Sequence, residues 1–223
     1  MSNVLIVDAS ARSASSHFAS FGSHTRRLSL KFAETWRCRC PGATILHREI
    51  GLLPPTPVDP DWIHAAFTPE QDRSFWMQQR LAESDKLVDE LIASDIIVIA
   101  SPMYNFGVPA QLKAYIDNVV RVGRTFGFDR NREDEPYWPL LKDDNKTLVV
   151  LSSRGDHGYD DASRLKNQNH VEPGIVTPLS YLGIEKHHYI AIEFDEFADD
   201  RLEASIARAE QEVEALAAEL AAQ

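Results

Sequence analysis

Ser101-Pro102-Met103-Tyr104-Asn105-Phe106-Gly107-Val108-Pro109 is the stretch on which the fold turns, together with its flanks. Before it runs Asp95-Ile96-Ile97-Val98-Ile99-Ala100, a continuous apolar segment rich in β-branched residues. No polar face alternates through that segment, so it reads as a strand buried on both faces, as in a parallel sheet. After it, Pro109 stands where a first helical residue would go. Leu112, Tyr115, Ile116, Val119 and Val120 then recur along one helical face. Lys113, Asp117 and Arg121 fall four apart on another face, where they can pair. Strand, loop and helix in that order put the loop at the carboxyl end of the strand, where open α/β sheets bind ligands.

The chemistry of the loop goes beyond that of a connection. Pro102 and Pro109 stiffen it, while Asn105 and Gly107 tolerate turn geometry. Tyr104 and Phe106 put flat apolar surfaces where polar residues are usual. A planar ligand laid on such a loop gains stacking and burial, and Asn105 and backbone amides can read its edge. The same aromatics would also suit the protein's own core or a subunit interface, and spacing does not separate the readings.

Outward from this centre, strands and helices alternate. Val4-Leu5-Ile6-Val7 reads as a buried strand, followed by Asp8-Ala9-Ser10-Ala11-Arg12 and a polar stretch to Thr25. A helix follows through Trp36, with Leu28, Phe32 and Trp36 spaced by four. Strand, hydroxyl-rich loop and helix N-terminus outline a phosphate cradle, because helix amides carry partial positive charge and hydroxyls add donors. An ordinary helix capped by Ser23 gives the same pattern. The absence of Gly-x-Gly-x-x-Gly and of a Walker lysine disfavours a dinucleotide Rossmann site or an NTPase.

Residues 43–50 read as a second, more polar strand, and residues 52–60 are too proline-rich for a helix or central strand. Trp62, Phe67, Phe75 and Trp76 follow, aromatics that fit packing better than a ligand cover, and a helix is expected from Glu70 to Ala93. Residues 124–128 and 137–141 suggest the arms of a hairpin around the charged turn 129–135. Thr147 to Ser153 is the fourth core strand, and it ends in Arg154-Gly155-Asp156-His157-Gly158-Tyr159. There Gly155 permits close backbone approach and Arg154 could offset negative charge, although a plain glycine turn with a solvated arginine fits as well. A helix to Leu182 stopped by Gly183, a strand over residues 187–194 and an amphipathic helix over residues 199–221 complete the pattern. Residues 1–223 are therefore expected to form one doubly wound α/β domain with five parallel strands in a three-layer sandwich.

The totals narrow the function classes. A net charge of −11 argues against nucleic acid or an anionic membrane as partner. No apolar stretch approaches the roughly 20 residues of a membrane span, and no signal-peptide pattern opens the chain. Cys38 and Cys40 have neither redox nor metal spacing, so no metal is expected and a cytoplasmic location is the default.

Residues 102–106, the run Pro109-Ala110-Gln111-Leu112-Lys113-Ala114-Tyr115-Ile116-Asp117 and the run Arg121-Val122-Gly123-Arg124-Thr125-Phe126 resemble the FMN-dependent NADH:quinone oxidoreductases, also called azoreductases. The resemblance extends to residues 23–28, 152–155 and 169–173, and so to nearly the whole chain. It implies a flavodoxin-like sheet of order 2-1-3-4-5, FMN as cofactor, NADH or NADPH as donor and a quinone or azo compound as acceptor. It also implies ping-pong turnover at flavin N5, with no protein residue as catalyst, and a homodimer that shares its site across the interface. By the same resemblance Ser10, Arg12, Ser23 and Thr25 would hold the phosphate end. Pro102, Met103, Tyr104, Asn105 and Phe106 would hold the flavin, and Ser153, Arg154 and Gly155 would close the other side. The first loop is longer than usual, so Ser13, Ser15 or Ser16 could replace Ser23. Asp156 stands where a second glycine is common, and residues 129–138 depart from the usual glycine-containing hairpin, so acceptor specificity stays open. An FMN reductase or chromate-reductase-like flavoprotein and a non-catalytic electron carrier are the alternatives. The Arg-x-Gly-Arg-Thr-Phe run weighs against the former.

Overall fold

A computed structural model describes residues 2–13, 22–160 and 163–223. Its apolar runs are strands β1 (Val4–Asp8), β2 (Ile45–Arg48), β3 (Ile96–Pro102), β6 (Thr147–Ser153) and β7 (Lys186–Ile192). They pair in parallel in the order β2-β1-β3-β6-β7, with Val4 beside both Ile45 and Ile96, and Thr147 beside both Ile96 and Lys186. In sequence-counted strands that is the expected 2-1-3-4-5, with the hairpin strands β4 (Phe126–Phe128) and β5 (Tyr137–Pro139) standing apart as a two-stranded unit.

Side chains alternate across the sheet, so each continuous apolar run serves two layers. Leu5, Val7, Ile97, Ile99, Leu148 and Val150 pack with helices α3 (Phe75–Ile92), α4 (Ala110–Val119) and α5 (Glu172–Tyr181). Val4, Ile6, Val98, Val149 and Leu151 pack on the other side with α1 (His24–Arg39) and α6 (Asp200–Leu220). Covering both faces leaves only the loops at the carboxyl ends of the strands to form a site.

Two local expectations are corrected. The helix expected from Glu70 begins at Phe75, after a 3₁₀ turn at Glu70–Asp72 that Pro69 leads into. Residues 52–59 are non-helical, as their prolines predict, and α2 (Pro60–Phe67) begins at their end, where Asp59 accepts a bond from the Trp62 amide at 2.7 Å and Pro60 takes the first helical position. Trp62, Ala65 and Ala66 bury against Leu81, so this aromatic is packing, while Phe67, Phe75 and Trp76 remain exposed. Arg121 does not pair along its helix with Asp117, which Lys113 binds instead. Its guanidinium is fully buried, bonds Ser84 at 2.6 Å and Asp85 at 3.0 Å, and lies 5.5 Å from the Trp62 ring, which anchors the excursion.

Tyr115 marks a cost within this core. Its ring is fully buried, its hydroxyl has no hydrogen-bond partner among the described residues, and burial pushes its pKa well above the usual tyrosine value. Burying an unpaired hydroxyl costs about 1–3 kcal/mol. Tyr115→Phe is therefore expected to stabilise the protein by about 1 kcal/mol, read as a higher urea midpoint at unchanged slope.

Candidate binding cleft

Four of the carboxyl-edge loops, those after β1, β3, β6 and β7, and the start of α1 surround a cleft of about 300 Å³. On one side are Ser10 and Arg12 from the loop after β1, with Ser23 and His24 from the start of α1. Ser23 caps that helix, accepting from the Arg26 amide at 3.3 Å and sharing a 3.1 Å bond with the Thr25 hydroxyl. A helix leaves its first amides without intrahelical partners and carries partial positive charge at that end. Ser10 and Ser23 add hydroxyls, Arg12 adds a cationic group and His24 an imidazole. Such a donor set suits a phosphate.

Opposite lie Pro102, Met103, Tyr104 and Asn105. Tyr104 and Gly107 exchange both backbone bonds, at 3.0 and 3.1 Å, around Asn105 (φ 49°) and Phe106 (φ 69°). This is a two-residue turn with both central residues left-handed, a conformation in which Asn is at home and Phe is strained. The Ala11 amide donates to the Tyr104 hydroxyl at 3.3 Å, and the Met103 amide donates to Ser153 O at 2.8 Å. The aromatic loop is thereby fixed to both neighbouring loops.

Ser153 and Gly155 form the third wall with Asp195 and Glu196. Gly155 is pressed against Glu196, whose carboxylate would lie 2.7 Å from an added Cβ. Asp195 accepts from His24 at 3.0 Å and lies 3.8 Å from Arg12. The His24 bond holds its carboxyl below the usual range, against the opposing effect of burial.

Three of the expected site residues lie elsewhere. Thr25 is fully buried beneath Ser23. Phe106 stands 48% exposed at the loop tip, its carbonyl accepting from the His170 amide at 2.9 Å. Arg154 turns its guanidinium away from the cleft because three carboxylates hold it: Glu172, Asp160 at 3.0 Å and Glu193 at 3.4 Å. Asp156 pairs with Arg164 at 2.8 Å, and that bond lowers its pKa. Ser13 is described and half-buried, while Ser15 and Ser16 lie outside the described residues. Sequence reasoning missed His24, Asp195 and Glu196. The first follows the helix cap, and the others follow a parallel strand, so both positions were open to the carboxyl-edge rule.

Beneath the first loop, Asp8, His47 and Glu49 bring ligand atoms within 4.8 Å of one another. Arg26 already bonds Glu49 and lies 3.8 Å from Asp8, and His47 bonds Asp8, so two bases balance two acids without a metal. The hydrogen bond to Asp8 raises the His47 pKa, with Glu49 adding to it and burial and Arg26 opposing. A raised folded value means that the contribution of His47 to stability is complete below the unfolded pKa of about 6.5 and is lost as pH rises through the folded value. Thermal midpoints taken from pH 6 upward should fall over that window, and His47→Gln should flatten the slope.

A family model described as flavodoxin-like fold matches residues 2–217. "FMN-dependent NADH:quinone oxidoreductase 2" of Idiomarina loihiensis is 41% identical over 220 residues, which cover 99% of this chain and 91% of that one. "FMN-dependent NAD(P)H:quinone oxidoreductase 1" of Pseudomonas aeruginosa is 39% identical over 218 residues, covering 97% and 99%. Among solved structures, an FMN-dependent NADH-azoreductase from Bacillus anthracis in complex with FMN superposes with a TM-score of 0.83. The match covers 99% of this chain and 100% of that one at 20% identity, and so speaks for the fold.

Proposed function

Since the chain belongs to the FMN-dependent NADH:quinone oxidoreductases of the flavodoxin-like fold, we propose that it is an FMN-dependent enzyme passing two electrons from NADH or NADPH to quinones and azo compounds. The observation that carries this reading is the pairing of two walls in one cleft. A hydroxyl-rich helix start, with Arg12 beside it, faces a stiff loop bearing Met103, Tyr104 and Asn105. A phosphate and a planar ring need those two walls at opposite ends of one ligand.

In this reading Ser10, Ser23 and the first amides of α1 bind the phosphate, Arg12 offsets its charge, and His24 borders it. Met103, Tyr104 and Asn105 hold the flavin ring, with Phe106 shaping the loop tip beside them, while Ser153 and Gly155 bound it on the other side. FMN supplies the two-electron chemistry when bound. The chain's residues bind and orient, and leave room for one planar partner at a time. Thr25 and Arg154 support their neighbours in the cleft walls.

The exposed aromatics Phe128, Tyr137 and Tyr181, clustered by the hairpin, support a homodimer. No helix among the described residues is long and apolar enough to cross a membrane. We place the enzyme in the cytoplasm, with residues 1–223 acting as one domain.

A visible spectrum of the purified protein, saturated with FMN and desalted, tests the reading. Flavin bands that persist, bleach under anaerobic NADH and return with a quinone are expected. Failure to retain flavin would overturn the cofactor assignment, and retained flavin that neither NADH nor NADPH bleaches would overturn the activity.

A further inference from the structure

Resting on the FMN reading above, we propose that Arg26 is a positioning residue for the phosphate end of the cleft, acting through the main chain of Ser10 and Arg12. Arg26 is 3% exposed and lies outside the cleft lining formed by the described residues. Its fork reaches the first loop from behind. Nε donates to Arg12 O at 2.7 Å and Nη2 donates to Ser10 O at 2.8 Å. Nη1 is occupied by Glu49. With all three nitrogens engaged, Arg26 is not placed to bind the ligand itself.

What it does instead follows from the geometry of the peptide unit. In a trans peptide the carbonyl of one residue and the N–H of the next point in opposite directions. Drawing Ser10 O and Arg12 O down onto Arg26 therefore turns the Ala11 and Ser13 amides away from it, toward the cleft side. The Ala11 amide shows the result, since it donates at 3.3 Å to Tyr104, a cleft-lining residue. Amide dipoles aimed in this way are the groups that receive an anion.

The charge of Arg26 is spent locally. Glu49 bonds it, Asp8 lies 3.8 Å away, and Asp8 is itself held by Ser29 at 2.9 Å and by His47. The contribution of Arg26 is accordingly orientation of the loop rather than long-range attraction. Lysine would keep the charge facing Asp8 and Glu49, but its point-like ammonium cannot bridge two carbonyls as a planar fork does.

The test uses the full chain stripped of flavin and titrated with FMN and with riboflavin, which lacks the phosphate, by quenching of flavin fluorescence. The unmodified protein should bind FMN more tightly than riboflavin. In Arg26→Lys the affinity for FMN should fall about tenfold or more, as expected for losing a charge-assisted bond, while that for riboflavin stays within about threefold. Equal losses for the two ligands, or no loss for either, would overturn the inference and leave Arg26 a purely structural cation. An unmodified protein that binds the two ligands equally would overturn the phosphate-cradle reading and this inference with it. If Arg26→Lys does not fold, Arg26→Gln combined with Glu49→Gln removes the cation together with its counter-charge, and the same ratio decides.

Discussion

Gly51→Ala is expected to lower stability by about 3 kcal/mol and to weaken FMN binding with it. A Cβ built on Gly51 would lie 1.9 Å from Ser10 O, 2.5 Å from Ser10 C and 2.9 Å from Ala9 C. All three are backbone atoms of the loop after β1, so no side chain can swing aside. The Gly51 amide also donates to Asp8 O at 2.9 Å, which fixes the approach. The methyl must push the loop off its seat, and Ser10 O is one of the two carbonyls that Arg26 holds. Thermal melting and a flavin titration on the same sample would measure both effects. An alanine variant with an unchanged midpoint and unchanged affinity would mean that the chain after β2 yields instead.

Arg154→Met should be nearly as damaging, for a different reason. The guanidinium is 3% exposed and is the cation shared by Glu172 and Glu193, both nearly buried, and the more exposed Asp160. Removing one partner of a buried ion network strands the other charges, at a cost of about 3–5 kcal/mol. A lower urea midpoint at unchanged slope measures this, and adding Glu172→Gln should restore part of the loss. A direct flavin contact would behave otherwise, with FMN affinity falling and the midpoint unmoved.

Arg154 also shows where reading a sequence stops. Arg-Gly after a buried strand marks a ligand loop, and the loop is in place, with Gly155 on the cleft. Which way a long cationic side chain turns depends on carboxylates far along the chain, and nothing local announces Glu172 or Glu193. Ile96 to Ala100 lay at the other extreme, because an unbroken β-branched run has few folds open to it and the pairing order follows from alternation with helices. Ser10, Ser23 and the residues from Pro102 to Asn105 were legible for the same reason, since strand ends and helix starts are local features. α2 was hidden because prolines mask a helix unless Asp59 is read as its cap. Gly51 and Arg26 were hidden because their roles are to touch backbone, which leaves no pattern in side-chain types.

The strand order also bears on how the chain comes off the ribosome. After β2 has joined one edge of β1, β3 adds to the other edge, and β6 and β7 each add to the strand before them, so the sheet can grow in the order of synthesis without prising strands apart. The helix layer over the opposite face has no such sequence. Leu28, Phe32 and Trp36 of α1 share one cluster with the strands and with Ala209, Val213 and Leu216 of α6, which is made long afterwards. A nascent chain therefore carries this apolar layer only partly covered, by the strands alone, through most of its synthesis, a surface on which chaperones and aggregation compete.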